Sequence, residues 1–386
     1  MLAPTGRRIW LVGAAVVAAA LVLPFAGRLV AAHTESDSLW ANAARSLGGW
    51  HEPFDLRVFL QAGDDVLDGR SPYRDPETIT GPADAPYAYP PVLALAVSPL
   101  AAVPERVREV YVPGVLFSLV LLFSVVGALL LLDVRDWRCH LVALLYPPTV
   151  EAIEYGAVGP ILLLLVALAW RFRDDARVTG AATGGAIVLK LFLWPLVVWL
   201  LATRRLAGAT VAVAVAVGLA FVSWAVIAFR GLGDYQRLLR RLVDVEAENS
   251  YSLFAILRLA EVPELAARAL VVAGGLGLLA LAWRVARSGV GDSTTFLLAL
   301  AAALVLTPIL WLHYLVLLVV PIALVRPRFS PLWLVPLVLI LFELLDWYRG
   351  WPRGDAEALL SVAAVAAIVF LGALRRPRAV TRLAPC

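Results

Sequence analysis

The sequence predicts an all-α protein that crosses a membrane many times. Of its 386 residues, 61% are hydrophobic, and the mean hydropathy is +0.84, whereas soluble domains are about 45–50% apolar. Apolar runs of about 17–25 residues, the length that crosses the hydrocarbon core of a bilayer, recur along the chain. The 13 Trp and 10 Tyr residues are sufficient to form aromatic belts at both membrane interfaces.

We expect about twelve spans, with both termini in the cytosol and residues 1–386 forming one integral membrane domain. The first span covers residues 9–31, and Arg7 and Arg8 hold its start in the cytosol, because basic residues accumulate on that side. The other spans are predicted at residues 109–132, 139–150, 155–170, 178–203 (two short helices that turn near Lys190), 207–229, 265–283, 294–310, 314–325, 331–345 and 356–374.

This topology leaves two long segments on the outer side, residues 33–108 and residues 230–263. Between Asp55 and Asp68 the apolar residues share one side of a helical wheel and most charged residues share the other. This pattern predicts an amphipathic helix that lies along the membrane surface. Residues 90–103 are apolar but few and interrupted by proline, so we expect an interfacial or re-entrant piece rather than a span.

Asp55 lies on the apolar side of this predicted helix, apart from the other carboxylates. In one interpretation it is the N-cap residue, with Phe54 and Phe59 in the flanking hydrophobic positions. In the other it is a carboxylate at the membrane surface that serves as a general base. The other acidic residues of the helix are expected to form its solvated face: Asp64, Asp65 and Asp68.

Ionisable residues at or inside membrane spans are costly and by default indicate function. In the predicted topology such residues, with an asparagine, gather at the outer face: Asp55, Glu151, Glu154, Lys190, Asn249 and His313. Lys190, the only lysine, is either a helix-end residue whose ammonium extends to the interface or a cation for a lipid phosphate. His313 is either part of an aromatic belt with its neighbours or a contact to phosphate or sugar hydroxyl groups.

The second outer segment contributes Arg237, Arg240 and Arg241 on one side of a predicted helix. They form either a surface that attracts anionic lipid headgroups or a clamp for a lipid phosphate. The four His residues are scattered without the spacing of a metal site, and no glycine-rich phosphate loop is present. We therefore expect no metal, no nucleotide cofactor and no nucleic acid partner.

Short motifs occur in a characteristic order: Asp55 with Phe59, Ala62, Gly69 and Pro72-Tyr73; Tyr89-Pro90-Pro91; Lys190 with Pro195; Asn249-Ser250 with Leu253 and Arg258; Thr307-Pro308 with Trp311 and His313-Tyr314. In order and spacing they resemble glycosyltransferase family 87, whose members are membrane enzymes of GT-C type that use sugars carried on polyprenyl phosphate. The resemblance covers residues 55–321. One position departs from it, because Gly156-Ala157 stands where family members often carry Gly-Gln.

The resemblance implies a GT-C-like bundle and an inverting sugar transfer on the outer side of the membrane. The donor would be a polyprenyl-phosphate sugar, most commonly mannose and otherwise arabinofuranose, and the acceptor a glycolipid or cell-wall glycan. Asp55 would be the catalytic base. The donor phosphate and substrates would meet the remaining predicted site residues: Tyr89, Glu154, Lys190, Arg237, Arg240, Arg241, Asn249 and His313.

Two other classes of function compete with this expectation. A transporter or flippase for lipid-linked sugars also needs many spans and interfacial cations, but transporters commonly have paired halves with matching broken helices, which the sequence lacks. A non-catalytic membrane subunit would make the gathering of polar residues at the outer face accidental. The preference for arginine over lysine, with Lys190 alone, is typical of a GC-rich bacterial genome, so we expect a location in a bacterial cell membrane.

Overall fold

The computed structural model describes residues 53–81, 84, 86–103, 116–246, 250–289, 291–338 and 356–374, with side chains in the last range described for residues 363–372. The described residues form helices and no β-strand, in agreement with the predicted all-α class. Their α-helices are, in chain order, α1 Phe54–Leu67, α2 Pro91–Ala101, α3 Ser118–Leu131, α4 Trp137–Leu145, α5 Pro147–Tyr155, α6 Gly159–Arg171, α7 Ala176–Leu189, α8 Pro195–Ala202, α9 Leu206–Val226, α10 Leu232–Glu246, α11 Leu253–Leu259, α12 Glu264–Arg287, α13 Asp292–Leu306, α14 Val319–Val325, α15 Pro331–Leu334 and α16 Ala356–Leu374. Short 3-10 helices lie at Pro76–Thr78, Leu191–Leu193, Leu312–Leu318 and Val335–Val338.

Several of these helices are suited to a membrane. Within the described residues, α9 with 21 residues and α12 with 24 residues are long and apolar enough to cross a bilayer. The α5–α6 pair also qualifies, although the two helices are bent by 120° at the break between them. Other apolar helices have 10–17 residues, fewer than the roughly 20 that a straight span needs. The total of about twelve spans stays a prediction, and the first predicted span, residues 9–31, lies outside the described residues.

Two predicted turns between short helices have different outcomes. The hairpin expected from residues 139–150 and 155–170 is instead three helices, because Pro147 begins α5 and Gly156 ends it in the left-handed conformation. Proline has no N–H to continue the preceding helix, and glycine adopts a positive φ without steric cost. The break expected near Lys190 is confirmed, since α7 ends at Leu189 and Lys190 is extended with φ −147° and ψ 107°, whereas two separate spans on either side of it stay a prediction.

The amphipathic helix predicted in the first outer segment is α1. Its buried stripe consists of Leu56, Phe59, Leu60, Ala62 and Gly63. This stripe packs on α2, the apolar segment expected near residues 90–103, and a Cβ at Gly63 would lie 3.2 Å from the Cα of Ser98. On the solvated side, Arg70 pairs with the carboxylates of Asp65 and Asp68. The close packing at Gly63 holds α1 against α2.

At the opposite end of the bundle, three helices are joined by one carboxylate. Asp292, the first residue of α13, accepts hydrogen bonds from Arg173 Nε at 3.0 Å and from Arg205 Nη1 at 2.9 Å. The indole Nε1 of Trp199 also donates to it, at 3.0 Å. These bonds fix the loops after α6 and α8 to the start of α13.

Candidate active site

Asp55 is the second residue of α1, and its side chain is partly buried. The helix begins one residue before it, Pro53 occupies the N-cap position, and no side chain makes a cap hydrogen bond there. The N-cap interpretation of Asp55 is therefore wrong. Its carboxylate lies in the first turn instead, where the helix dipole favours a negative charge. No cap hydrogen bond from a backbone N–H fixes this carboxylate.

The turn between α5 and α6 packs directly on the first turn of α1. Gly156 ends α5 with φ +67°, and a Cβ at this position would lie 2.7 Å from the Cβ of Leu56 and 3.2 Å from that of Pro53. Any larger residue would push the turn away from α1. The glycine thus lets the bent α5–α6 pair approach Asp55.

His313 reaches the same place from a distant part of the chain. It lies in the 3-10 helix Leu312–Leu318, and only 5% of its surface is exposed. A Cβ at Gly159, in the first turn of α6, would lie 2.6 Å from the backbone oxygen of His313. The Nδ1 atom of His313 lies 3.8 Å from Oε1 of Glu151 on α5. Neither ring nitrogen of His313 has a hydrogen-bond partner among the described residues.

Lys190 approaches from the break after α7. Its Nζ lies 3.9 Å from the ring centroid of Tyr89 and 4.9 Å from that of Tyr314. The hydroxyl oxygens of the two tyrosines are 3.4 Å apart. A cation over two aromatic faces is attracted by their negative charge density, so the rings hold the ammonium, which lies within electrostatic range of Asp55.

These side chains form what we call the Asp55 cluster: Asp55, Tyr89, Glu151, Lys190, His313 and Tyr314. Burial raises the pKa of Asp55, the charges of His313 and Lys190 lower it, and the charge of Glu151 raises it. The four ionisable groups thus act on one another. A carboxyl whose pKa is raised by burial is a stronger base than an ordinary aspartate when it is ionised, which suits a general base.

The cluster contains some predicted site residues and adds Glu151 and Tyr314, while the role of Glu154 stays a prediction. Asp55, Tyr89, Lys190 and His313 converge as expected. Glu154 is half-buried on α5 and is not among the groups whose charge shifts the pKa of Asp55, whereas Glu151 is. Residues three apart on a helix point in directions that differ by only about 60°. The helical pattern alone therefore could not predict which of the two glutamates faces Asp55.

The three predicted arginines lie on α10 and are exposed. Arg237 pairs with Asp234, and Arg241 Nε donates to the backbone oxygen of Ile79 at 3.0 Å. No described contact joins them to the Asp55 cluster, and their role as a phosphate clamp stays a prediction. Asn249 lies outside the described residues. Close after it, the N–H of Tyr251 donates to Leu310 O at 2.8 Å, which ties this segment to the chain just before His313.

Comparison with known proteins identifies the family of the chain. The sequence profile of glycosyltransferase family 87 matches residues 87–311, a range that includes Tyr89, Glu151 and Lys190, while Asp55 and His313 lie outside it. No curated protein and no solved structure matches the chain. Because the matched range spans more than half of the 386 residues, the chain belongs to glycosyltransferase family 87 and is a glycosyltransferase.

Proposed function

We propose that this glycosyltransferase moves a sugar from a polyprenyl-phosphate donor to a hydroxyl group of a glycolipid or cell-wall glycan. The reaction takes place at the outer face of a bacterial cell membrane and inverts the anomeric configuration. The observation that carries the proposal is the position of Asp55, a partly buried carboxylate within electrostatic range of Lys190 and His313. One base and two groups able to carry positive charge are the parts that such a transfer requires.

Asp55 serves as the general base. The acceptor hydroxyl oxygen attacks the anomeric carbon while the Asp55 carboxylate takes the hydroxyl proton. The bond between the anomeric carbon and the phosphate oxygen breaks, and its electron pair leaves with the polyprenyl phosphate. Assistance by a positioned base is typically worth about 10²–10⁴-fold in rate. A single displacement with base and leaving group on opposite faces of the sugar inverts the configuration.

Lys190 and His313 bind the leaving phosphate. The Nζ of Lys190 lies 3.9 Å from the ring centroid of Tyr89. This cation–π contact is worth about 0.5–2 kcal/mol. A charge-assisted hydrogen bond from the ammonium to a phosphate oxygen is stronger, so the phosphate is the better partner. Nε2 of His313, which has no hydrogen-bond partner among the described residues, donates a hydrogen bond to the same phosphate. Because the leaving group is already a stable anion, these cations and donors suffice and no acid has to protonate it.

The proposal is tested by incubating the purified protein with polyprenyl-phosphate mannose or polyprenyl-phosphate arabinofuranose and a membrane-lipid extract. We expect one donor to yield a lipid or glycan heavier by one sugar, with an anomeric configuration opposite to that of the donor. Mannose transfer is the first expectation and arabinofuranose transfer the alternative. Movement of the donor across vesicle membranes without any transfer would contradict the proposal and indicate a flippase.

A further inference from the structure

The backbone around Tyr89 is held by side chains instead of by a helix. Residues 86–90 lead into α2 and belong to no helix themselves, so their backbone oxygens need other partners. Three successive oxygens each accept a hydrogen bond from a different tyrosine hydroxyl. The distances are 3.1 Å from Tyr235 to Ala88 O, 2.9 Å from Tyr73 to Tyr89 O and 2.6 Å from Tyr87 to Pro90 O. We call the three donors, Tyr73, Tyr87 and Tyr235, the tyrosine clamp.

The rings of the tyrosine clamp pack on one another. The centroid of Tyr73 lies 5.7 Å from that of Tyr87 and 5.0 Å from that of Tyr235. Trp224, near the end of α9, stacks on Tyr73 with centroids 5.0 Å apart and 18° between the ring planes. Aromatic pairs prefer defined geometries. The packed rings therefore hold the hydroxyl groups in fixed directions.

The tyrosine clamp joins α10 to the loop before α2. Tyr235 lies in the first turn of α10. A Cβ at Gly231, directly before this helix, would lie 2.9 Å from Cδ2 of Tyr73, so the turn packs on the clamp. Farther along α10, Arg241 Nε donates to Ile79 O at 3.0 Å. Contacts of α10 with two parts of the loop thus support the bond that Tyr235 makes.

The ring of Tyr89 contacts three separate elements of the candidate active site. It meets the ring of Phe59 on α1 edge-on, with centroids 5.0 Å apart and 83° between the planes. Nζ of Lys190 lies 3.9 Å from its centroid. Its hydroxyl oxygen is 3.4 Å from that of Tyr314. Tyr89 therefore joins α1, the break after α7 and the 3-10 helix that follows α13.

We propose that the tyrosine clamp consists of positioning residues for sugar transfer. By holding the backbone on both sides of Tyr89, its hydroxyls fix the ring under Lys190 and so keep the ammonium where the donor phosphate binds. The inference rests on the proposed function, in which Lys190 binds that phosphate. Loss of a clamp hydroxyl frees the Tyr89 ring to move, and the ammonium that lies on the ring moves with it.

The test measures the KM for a polyprenyl-phosphate sugar and the KM for the acceptor separately. Tyr73→Phe and Tyr235→Phe each remove one clamp hydroxyl and keep the ring. Tyr146→Phe is the matched control, because the buried Tyr146 hydroxyl also donates to a backbone oxygen, that of Trp333, at 2.9 Å. We expect both clamp variants to raise the donor KM about 3–10-fold, the range that one net hydrogen bond supports, at a wild-type acceptor KM. The control should keep both values.

A double-mutant cycle tests whether the clamp acts through Tyr89. Tyr89→Leu removes the aromatic face under the ammonium, and we expect it to raise the donor KM by itself. Tyr73→Phe should then have almost no further effect in the Tyr89→Leu background, because both changes remove the same support from Lys190. Coupled residues give such non-additive effects, whereas independent ones add. Additive effects of the two substitutions would overturn the proposal.

Failure of the tyrosine clamp and failure of the proposed function give different results. If the wild-type protein transfers sugar but both clamp variants keep the wild-type donor KM, the clamp is not a positioning device. An equal rise of donor KM in Tyr146→Phe, or an equal rise of donor and acceptor KM in the clamp variants, would assign the effect to a general loss of structure and also overturn it. If the wild-type protein transfers no sugar from either donor, the proposed function itself is wrong.

Discussion

Oε1 of Glu151 lies 3.8 Å from Nδ1 of His313, a contact that joins α5 to a 3-10 helix far along the chain. Burial lowers the pKa of His313 to about 4, so the ring is neutral in the free protein and the contact is not an ion pair. Catalytic hydrogen bonds often shorten only when substrate binds. A carboxylate on this side favours a proton on Nδ1, and it fixes the orientation of the ring. Nε2 then faces the substrate, and it donates to the donor phosphate once the ring is doubly protonated, a state that the Glu151 carboxylate and the phosphate both favour. Glu151 is therefore a positioning residue for His313.

The first prediction concerns this pair. Glu151→Gln keeps the size of the side chain but removes the charge that holds the His313 proton, and we expect kcat to fall on the order of 10–100-fold, as observed when partners that orient a histidine are lost. Glu154→Gln, on the same helix, is the matched control and should retain near-normal kcat. Steady-state kinetics on both variants make the comparison, and equal losses in the two variants would remove Glu151 from its positioning role.

The second prediction concerns pH. Burial raises the pKa of Asp55, and a general base must be deprotonated, so kcat/KM should fall as the pH drops through a value above that of an ordinary aspartate. Glu151 also raises this pKa, so Glu151→Gln should shift the acidic limb to lower pH. The measurement is the pH profile of kcat/KM for both proteins. An acidic limb that moves to higher pH in the variant would contradict the proximity of the two carboxylates.

The third prediction concerns stability. A carboxyl whose pKa is higher in the folded state than in the unfolded state binds its proton more tightly when folded, so its contribution to stability is present at low pH and is lost as the pH rises through the folded value. At neutral pH the charged Asp55 therefore opposes folding. Asp55→Asn should leave the Tm in detergent unchanged or higher while transfer is lost. A clearly lower Tm would indicate that Asp55 supports the fold instead.

The fourth prediction concerns Gly156. With φ +67° and a Cβ position only 2.7 Å from Leu56, Gly156→Ala adds about 1–2 kcal/mol of backbone strain and pushes α5–α6 away from α1. Both the Tm and kcat should fall. Gly218→Ala is the control, because a Cβ there meets no atom within 4 Å and alanine favours a helix. If the two alanine variants behave alike, the turn does not position Asp55.

The sequence predicted the features that depend on local pattern. The amphipathic spacing around Asp55 predicts α1 almost to the residue, and the polar Lys190 between apolar runs predicts the break after α7. The features that depend on packing were not predictable in this way. The rotation of α5 decides between Glu151 and Glu154, and it is set by the contact of Gly156 with α1, which joins residues about a hundred positions apart. The sequence also did not show that Pro53, and not Asp55, is the N-cap residue, because this depends on the residue at which the helix begins. With Pro53 in that position, the carboxylate of Asp55 is not used for capping.

The central claim is that Asp55 is the base of sugar transfer, and one substitution tests it most directly. Asp55→Asn preserves the shape of the side chain and removes its ability to take a proton, while Asp64→Asn removes a carboxylate from the same helix outside the Asp55 cluster. Transfer from the polyprenyl-phosphate sugar is measured for both, with membrane insertion and Tm checked first. The account predicts a loss of about 10²–10⁴-fold in kcat for Asp55→Asn and wild-type kcat for Asp64→Asn, whereas near-normal turnover by Asp55→Asn would contradict it.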